Sequence, residues 1–144
     1  DNYANVATSL SFSALNASVF TSEGKEVVLG TGASDSMPNQ STSISRTTGI
    51  ILHFNEVLDA STFAIGSGNE IQLSTASGFG SGHISSASIT RTGEFGTQLF
   101  VAVNSALAAG TRFYLRVVHG VGGTNEGGKA LAATVYFNSF TTVS

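Results

Sequence analysis

Residues 47–56 read TTGIILHFNE. Ile50, Leu52 and Phe54 fall on one face of an extended chain, and Ile51, His53 and Asn55 fall on the other. That period of two is the mark of a β-strand, because successive side chains of a strand leave opposite faces. The same period recurs downstream. In TQLFVAVNSAL, Leu99, Val101 and Val103 align. In TRFYLRVVHGV, Phe113, Leu115 and Val117 align opposite Tyr114, Arg116 and Val118. In ATVYFNSFTT, Tyr136 and Phe140 share a face and leave Val135 and Phe137 on the other. EVVLG, EIQLS and HISSASITR are shorter candidates.

Between these runs lie GTGASDSMPNQ, GSGNE, ASGFGSG, RTGEFG and GVGGTNEGGK, whose glycines and small polar residues favour turns. Several short strands at this spacing predict an antiparallel sandwich. In LDASTF, Asp59 is placed to cap one helical turn.

Composition agrees with an all-β chain. Its 144 residues are one domain by length, and 41% are apolar, enough for a core. Only 10% are charged, against about 25% in an ordinary domain. The polar surface therefore comes from 21 Ser and 16 Thr. The basic residues Lys25, Arg46, Arg91, Arg112, Arg116 and Lys129 are scattered, which argues against a nucleic-acid partner. No apolar run approaches the roughly 20 residues of a membrane helix. With no cysteine, disulfides and thiolate chemistry are excluded. A Ser/Thr-rich, lysine-poor exterior suits the cell surface of a bacterium or archaeon, and a start at Asp1 suits a mature chain freed of its signal.

The order IILHFNEVLDASTF, LAAGTRFYLRVVHGV, GGKALAATVYFNSFTT resembles the bacterial Ig-like domain of S-layer and other cell-surface proteins. Phe54, Asn55, Glu56, Val57, Asp59, Ser61 and Thr62 match the family's strand end and turn. Leu107, Gly110, Thr111 and Phe113 match its lead-in to a later strand, and Tyr136, Phe140, Thr141 and Thr142 match its closing strand. The resemblance covers residues 27–142. It implies an Ig-like antiparallel β-sandwich over residues 27–144, with residues 1–26 as an N-terminal strand extension. Such modules serve as spacers, adhesins and lattice units, so the fold alone fixes no function. Asn138 stands where the family places an aromatic residue, with Phe137 beside it. The last strand is then apolar on both faces, and cover for Phe137 comes either from a loop of the same chain or from a partner chain.

Chemistry-bearing motifs are sparse. His53, His83 and His119 are isolated, and Ser81 near His83 has no evident carboxylate to orient it. The chain reads as non-enzymatic. Asn55, Glu56 and Asp59 are close in sequence at a strand end and are the candidate ligands for a metal, with calcium the fitting cation. The alternative assignment of Glu56 and Asp59 is to turn capping. No Trp and few Tyr are available for a carbohydrate platform.

The opening stretch, DNYANVATSLSFSALNASVF, alternates Val6, Thr8, Leu10, Phe12 and Ala14 with small residues. The alternation changes phase near Ala14–Leu15, which suggests a bulge or a crossing between sheets. Thr21–Lys25 reads as a linker. The extra strand has three possible homes: an edge of its own sandwich, a loose tail, or the sheet of a neighbouring copy by donor-strand complementation. Low surface charge favours the third. Donation makes a homopolymer, a filament, tube or surface layer, with Val6, Thr8, Leu10, Phe12, Ala14 and Phe137 at the interface. The rival reading is an adhesin or carbohydrate-binding module of a larger surface protein.

Overall fold

The computed structural model describes residues 11–34 and 36–144. Thirteen strands make it up. They are β1 (Ala14–Phe20), β2 (Glu26–Leu29), β3 (Thr31–Gly32), β4 (Asn39–Ile44), β5 (Gly49–Phe54), β6 (Leu58–Asp59), β7 (Ile71–Ser74) and β8 (Ala87–Thr92), then β9 (Gln98–Val103), β10 (Arg112–Val117), β11 (Thr124–Asn125), β12 (Val135–Phe137) and β13 (Ser139–Thr142). One 3-10 turn, η1 (Ala60–Thr62), follows β6. Asp59 caps it by accepting from the Ser61 amide.

The fold is an all-β sandwich. One sheet runs β2-β1-β5-β9-β8, antiparallel throughout. A second runs β3-β12-β10-β13-β4, with β7 also paired to β10 and β4 parallel to β13, and β6 pairs with β11 in a separate two-stranded ribbon. Period-two alternation builds the core as the sequence predicts. Ile50, Leu52 and Phe54 of β5, Leu99 and Val101 of β9, and Phe113, Leu115 and Val117 of β10 are all buried. In one row across the first sheet, Leu29, Ala17, Leu52 and Leu99 are register partners, each fully enclosed. Each such leucine contributes roughly 1.5–3 kcal/mol of burial.

Three expectations change. The sequence sets residues 1–26 apart from the sandwich, but β1 lies inside the first sheet, between β2 and β5. A strand's period reveals that it pairs, not with what, and the mate of β1 is 35 residues away at Ala17↔Leu52. The segment read as a linker, Thr21–Lys25, is a hairpin turn: the Thr21 amide donates to Lys25 O (2.9 Å) and the Gly24 amide to Thr21 O (2.9 Å). Gly24 sits there at φ +84°, a left-handed conformation that glycine adopts without steric cost. Finally, Phe137 and Phe140 do not face opposite ways. The register on β10 shifts by one residue between Arg116↔Tyr136 and Phe113↔Phe140. The extra residue at Asn138 turns both phenylalanines inward, at 1% and 0% exposure. Phe137 is covered by its own chain.

The phase change near Leu15 is a bulge. Ala14 pairs with Phe54 and Asn16 with His53, so Leu15 is squeezed out and half exposed. Phe12 and Ala14 face the core before it, Ala17 and Val19 after it.

Candidate functional site

The base of the N-terminal strand is held by Asn55, the residue just after β5. The Asn55 Nδ2 donates to Ser11 O (2.6 Å), its Oδ1 accepts from the Ser13 amide (2.9 Å), and its own amide donates to Ser13 O (3.1 Å). Between these bonds Phe12 turns inward, fully buried, 5.6 Å from the Phe54 ring. Its carbonyl accepts from the Ala132 amide (2.9 Å). Of the six residues assigned to strand exchange, Phe12, Ala14 and Phe137 are thus packed within their own chain. Val6, Thr8 and Leu10 lie outside the described residues. The root of the strand, from Phe12 onward, belongs to the chain's own sandwich.

The candidate calcium ligands serve separate tasks. Asn55 clamps the strand base. Asp59 Oδ1 accepts from the Ser61 amide (3.2 Å) and hydroxyl (2.6 Å). Glu56 Oε1 accepts from Asn125 Nδ2, while its Oε2 is buried with no hydrogen-bond partner. Among the described residues no three His, Cys, Asp or Glu side chains are grouped to hold a metal ion. The bend between β5 and β6 sends these sequence neighbours to different partners.

The histidines are also dispersed. Ser18 Oγ donates to Glu26 Oε2 (2.5 Å) and lies 3.4 Å from His53 Nε2. A hydroxyl has one proton, so with it on the carboxylate Ser18 can only accept from His53. The order places serine between base and acid, unlike a nucleophile activated by histidine. His83 Nε2 lies 2.8 Å from Phe79 O, and Ser81 meets Ser74 rather than His83.

Sheet edges distinguish this surface more sharply. At the β2 edge one side chain takes two main-chain groups: Gln40 Nε2 donates to Val28 O (2.5 Å) and its Oε1 accepts from the amide of Gly30, just past the strand (3.2 Å). Asn138 Nδ2 steadies the same oxygen (2.6 Å). On β8 no side chain among the described residues does the same. The Asn104 amide donates to Ser86 O (3.3 Å), and the register continues as Ala87↔Val103 and Ser88↔Ala102. By antiparallel alternation Ser88 and Thr90 bond to β9, and the N–H and C=O groups of Ala87 and Ile89 point away from it. Among the described residues no hydrogen bond reaches those outward groups.

Beside this bare edge runs a groove of about 370 Å³, lined by Phe63, Ala64, Ile65, Ser85, Ala87 and Ile89 among others. Its far wall belongs to the second sheet, since Ile65 bridges to Ile71 of β7. Arg91 closes one end of the edge, donating to Leu58 O (3.0 Å) and Glu126 (3.1 Å). None of Gln40, Phe63, Ile65 and Ile89 stood out in the sequence. Plugging by Gln40 has no sequence signature, but a strand such as ASITR, free of proline and uncharged until its end, is a readable sign of an unguarded edge.

Glu70 is a buried carboxylate at 2% exposure. The Ala64 amide donates to its Oε1, and Gly122 and Gly123 of the glycine-rich loop close over it. A Cβ at Gly122 would lie 2.8 Å from Glu70 Oε2, so the loop's glycines allow this approach. Burial raises the Glu70 pKa above the ordinary carboxylate value, against the lowering effect of the Ala64 and Glu70 amides. The native state therefore holds this proton more tightly than the unfolded chain. Its contribution is full at acidic pH and is lost as pH rises from the ordinary carboxylate range through the raised value. Glu70→Gln keeps an acceptor for Ala64 and abolishes that titration. Its melting temperature should gain on the natural protein as pH is raised from 4 to 7; a constant difference would refute the assignment.

The chain matches no protein-family model, no curated protein and no solved structure.

Proposed function

We propose that the chain is a non-enzymatic structural subunit of an extracellular or cell-surface assembly, built by donating residues 1–10 to a neighbouring copy. The observation that carries this reading is the division of the opening strand. The core takes Phe12 and Ala14, yet the same apolar face continues back through Leu10, Thr8 and Val6. The exterior supports close packing. Outward positions of β8 and β4 carry Ser88, Thr90, Thr42 and Ser43, all exposed hydroxyls. Among the described residues the one ion pair is Arg91–Glu126 at 3.1 Å. Two such faces bury few charges when pressed together, which keeps the desolvation cost low. Head-to-tail donation does not close on itself, so it grows a filament, tube or sheet. The resemblance to bacterial Ig-like modules supports a surface location.

The test is deletion of residues 1–10, stopping short of Phe12. The full chain is expected to sediment as large particles and the deletion as a monomer with unchanged circular dichroism and thermal midpoint. A full chain that stays monomeric across a hundredfold concentration range would overturn the reading. The rival, an adhesin or carbohydrate-binding module, draws on Phe95. At 75% exposure, it tops the β8–β9 hairpin beside the half-exposed Val57. That reading predicts a stable monomer whose retention on a glycan array is lost in Phe95→Ala.

A further inference from the structure

We infer that the acceptor of the donated strand is the free edge of β8 together with the groove between β8 and Phe63–Ile65, and that its occupant is residues 4–10 of a second copy. This rests on the proposed strand donation and adds where the strand goes. Three observations converge. The outward N–H and C=O groups of Ala87 and Ile89 have no partner among the described residues, while the opposite edge of the same sheet is partly covered by Gln40. An extended segment laid along β8 would bond to these groups, as β-augmentation requires.

The groove is bounded by both sheets and offers an apolar stripe beside Ser85 and Ser86: Phe63 and Ile65 on one wall, Ala87 and Ile89 on the other. A strand there sends alternate side chains inward, and Ala4, Val6, Thr8 and Leu10 are the alternate residues of the segment. β8 offers six residues, with Arg91 barring one end.

The tether favours a second copy over the same one. Ser11 is anchored at β1 by Asn55, and β5 and β9 separate β1 from β8. Three strand spacings make about 14 Å, which at roughly 3.4 Å per residue consumes at least four residues. Those are Ala7 to Leu10, so the chain's own Thr8 and Leu10 would run across β5 and β9 rather than along β8.

Because the chain contains no cysteine, engineered pairs report contacts cleanly. Val6→Cys, Thr8→Cys or Leu10→Cys is combined with Ile89→Cys in the full chain and oxidised during assembly. At least one pair is expected to give a covalent ladder whose links join isotope-labelled to unlabelled copies. Links confined to single chains would overturn the second-copy assignment. Assembly that proceeds with no link in any pair would overturn the groove and leave donation standing. Failure of the full chain to assemble would overturn both.

Ala87→Pro supplies an independent arm. It deletes an N–H that points away from β9, a position where proline is tolerated at an edge. The variant should keep its thermal midpoint within a few degrees and raise the concentration needed for assembly at least about tenfold. A variant that keeps its midpoint and assembles at the natural concentration would overturn the proposal. If this variant unfolds, Ile89→Lys, which places a charge in the groove, is read in the same way.

Discussion

Phe12→Ala is expected to cost the folded protein roughly 3–5 kcal/mol, the range for deleting a buried aromatic ring. The Phe12 side chain is wholly enclosed, its ring 5.6 Å from Phe54, which in turn lies 5.5 Å from Phe63. Three rings in a chain fill the end of the sandwich where β1 begins, and removing the first leaves a cavity that the anchored main chain cannot collapse. Asn55 holds Ser11 and Ser13 on either side, so the backbone at residue 12 has little freedom to close the gap. For a domain of this size each kcal/mol is worth about 2–4 °C, so the melting temperature should fall by roughly 6–20 °C. A urea titration checks the free energy directly. An unchanged midpoint would mean that Phe12 is not part of the core. Leu10→Ala is the contrast. On the proposed donation it should leave the midpoint within about 0.5 kcal/mol and weaken assembly instead. On that reading the two substitutions, two residues apart, would divide one alternating strand into a part that folds and a part that associates.

That division marks the limit of what period-two alternation could reveal. Ile50, Leu52 and Phe54, and Phe113, Leu115 and Val117, were legible because each run is long, regular and buried on one face. The cap at Asp59 and the bulge at Leu15 were legible because each follows from local chemistry, a short acceptor before a turn and a slip of phase. The partner of β1 was not legible. Pairing Ala17 with Leu29 on one side and Leu52 on the other is fixed by packing between distant segments.

The second bulge hid for a related reason. Strict alternation from Tyr136 puts Phe140 on its face, and only the inserted residue at Asn138 brings Phe137 and Phe140 together. At the candidate site, sequence proximity grouped Asn55, Glu56 and Asp59, whereas the fold spends them on a strand clamp, a bond to Asn125 and a helical cap. The proposed acceptor edge depends on what, among the described residues, is missing beside β8 and present beside β2. Such a contrast between two edges exists only once the sheet order is known.

Arg116→Ala should destabilise by roughly 2–4 kcal/mol, a large effect for a residue on the outer face of a sheet. The Arg116 Nε donates to Gln72 Oε1 (2.8 Å), and its Nη1 donates to Tyr136 Oη (3.2 Å). Its guanidinium carbon lies 4.3 Å from the centre of the Phe79 ring and 5.7 Å from that of Tyr136. Gln72 is only 5% exposed, so truncation leaves a buried acceptor unpaired, which is the costly half of losing a hydrogen bond.

Phe79 is the residue that Arg116 most constrains. Its backbone is left-handed at φ +56°, strained for a bulky side chain, yet the ring is buried. The cation above the ring and the Tyr136 ring 6.1 Å away offset that strain and fold the Thr75–Gly82 loop over the sheet. Losing the cation therefore frees the loop as well as the contact. Arg116→Lys should recover only part of the stability, because a lysine cannot bond Gln72 and Tyr136 in the same plane. Urea midpoints of the two variants, with hydrogen exchange of residues 75–83, check both claims. Equal midpoints for Arg116→Lys and the natural protein would show that charge alone suffices. Unchanged exchange in Arg116→Ala would show that the loop is held by something other than this arginine.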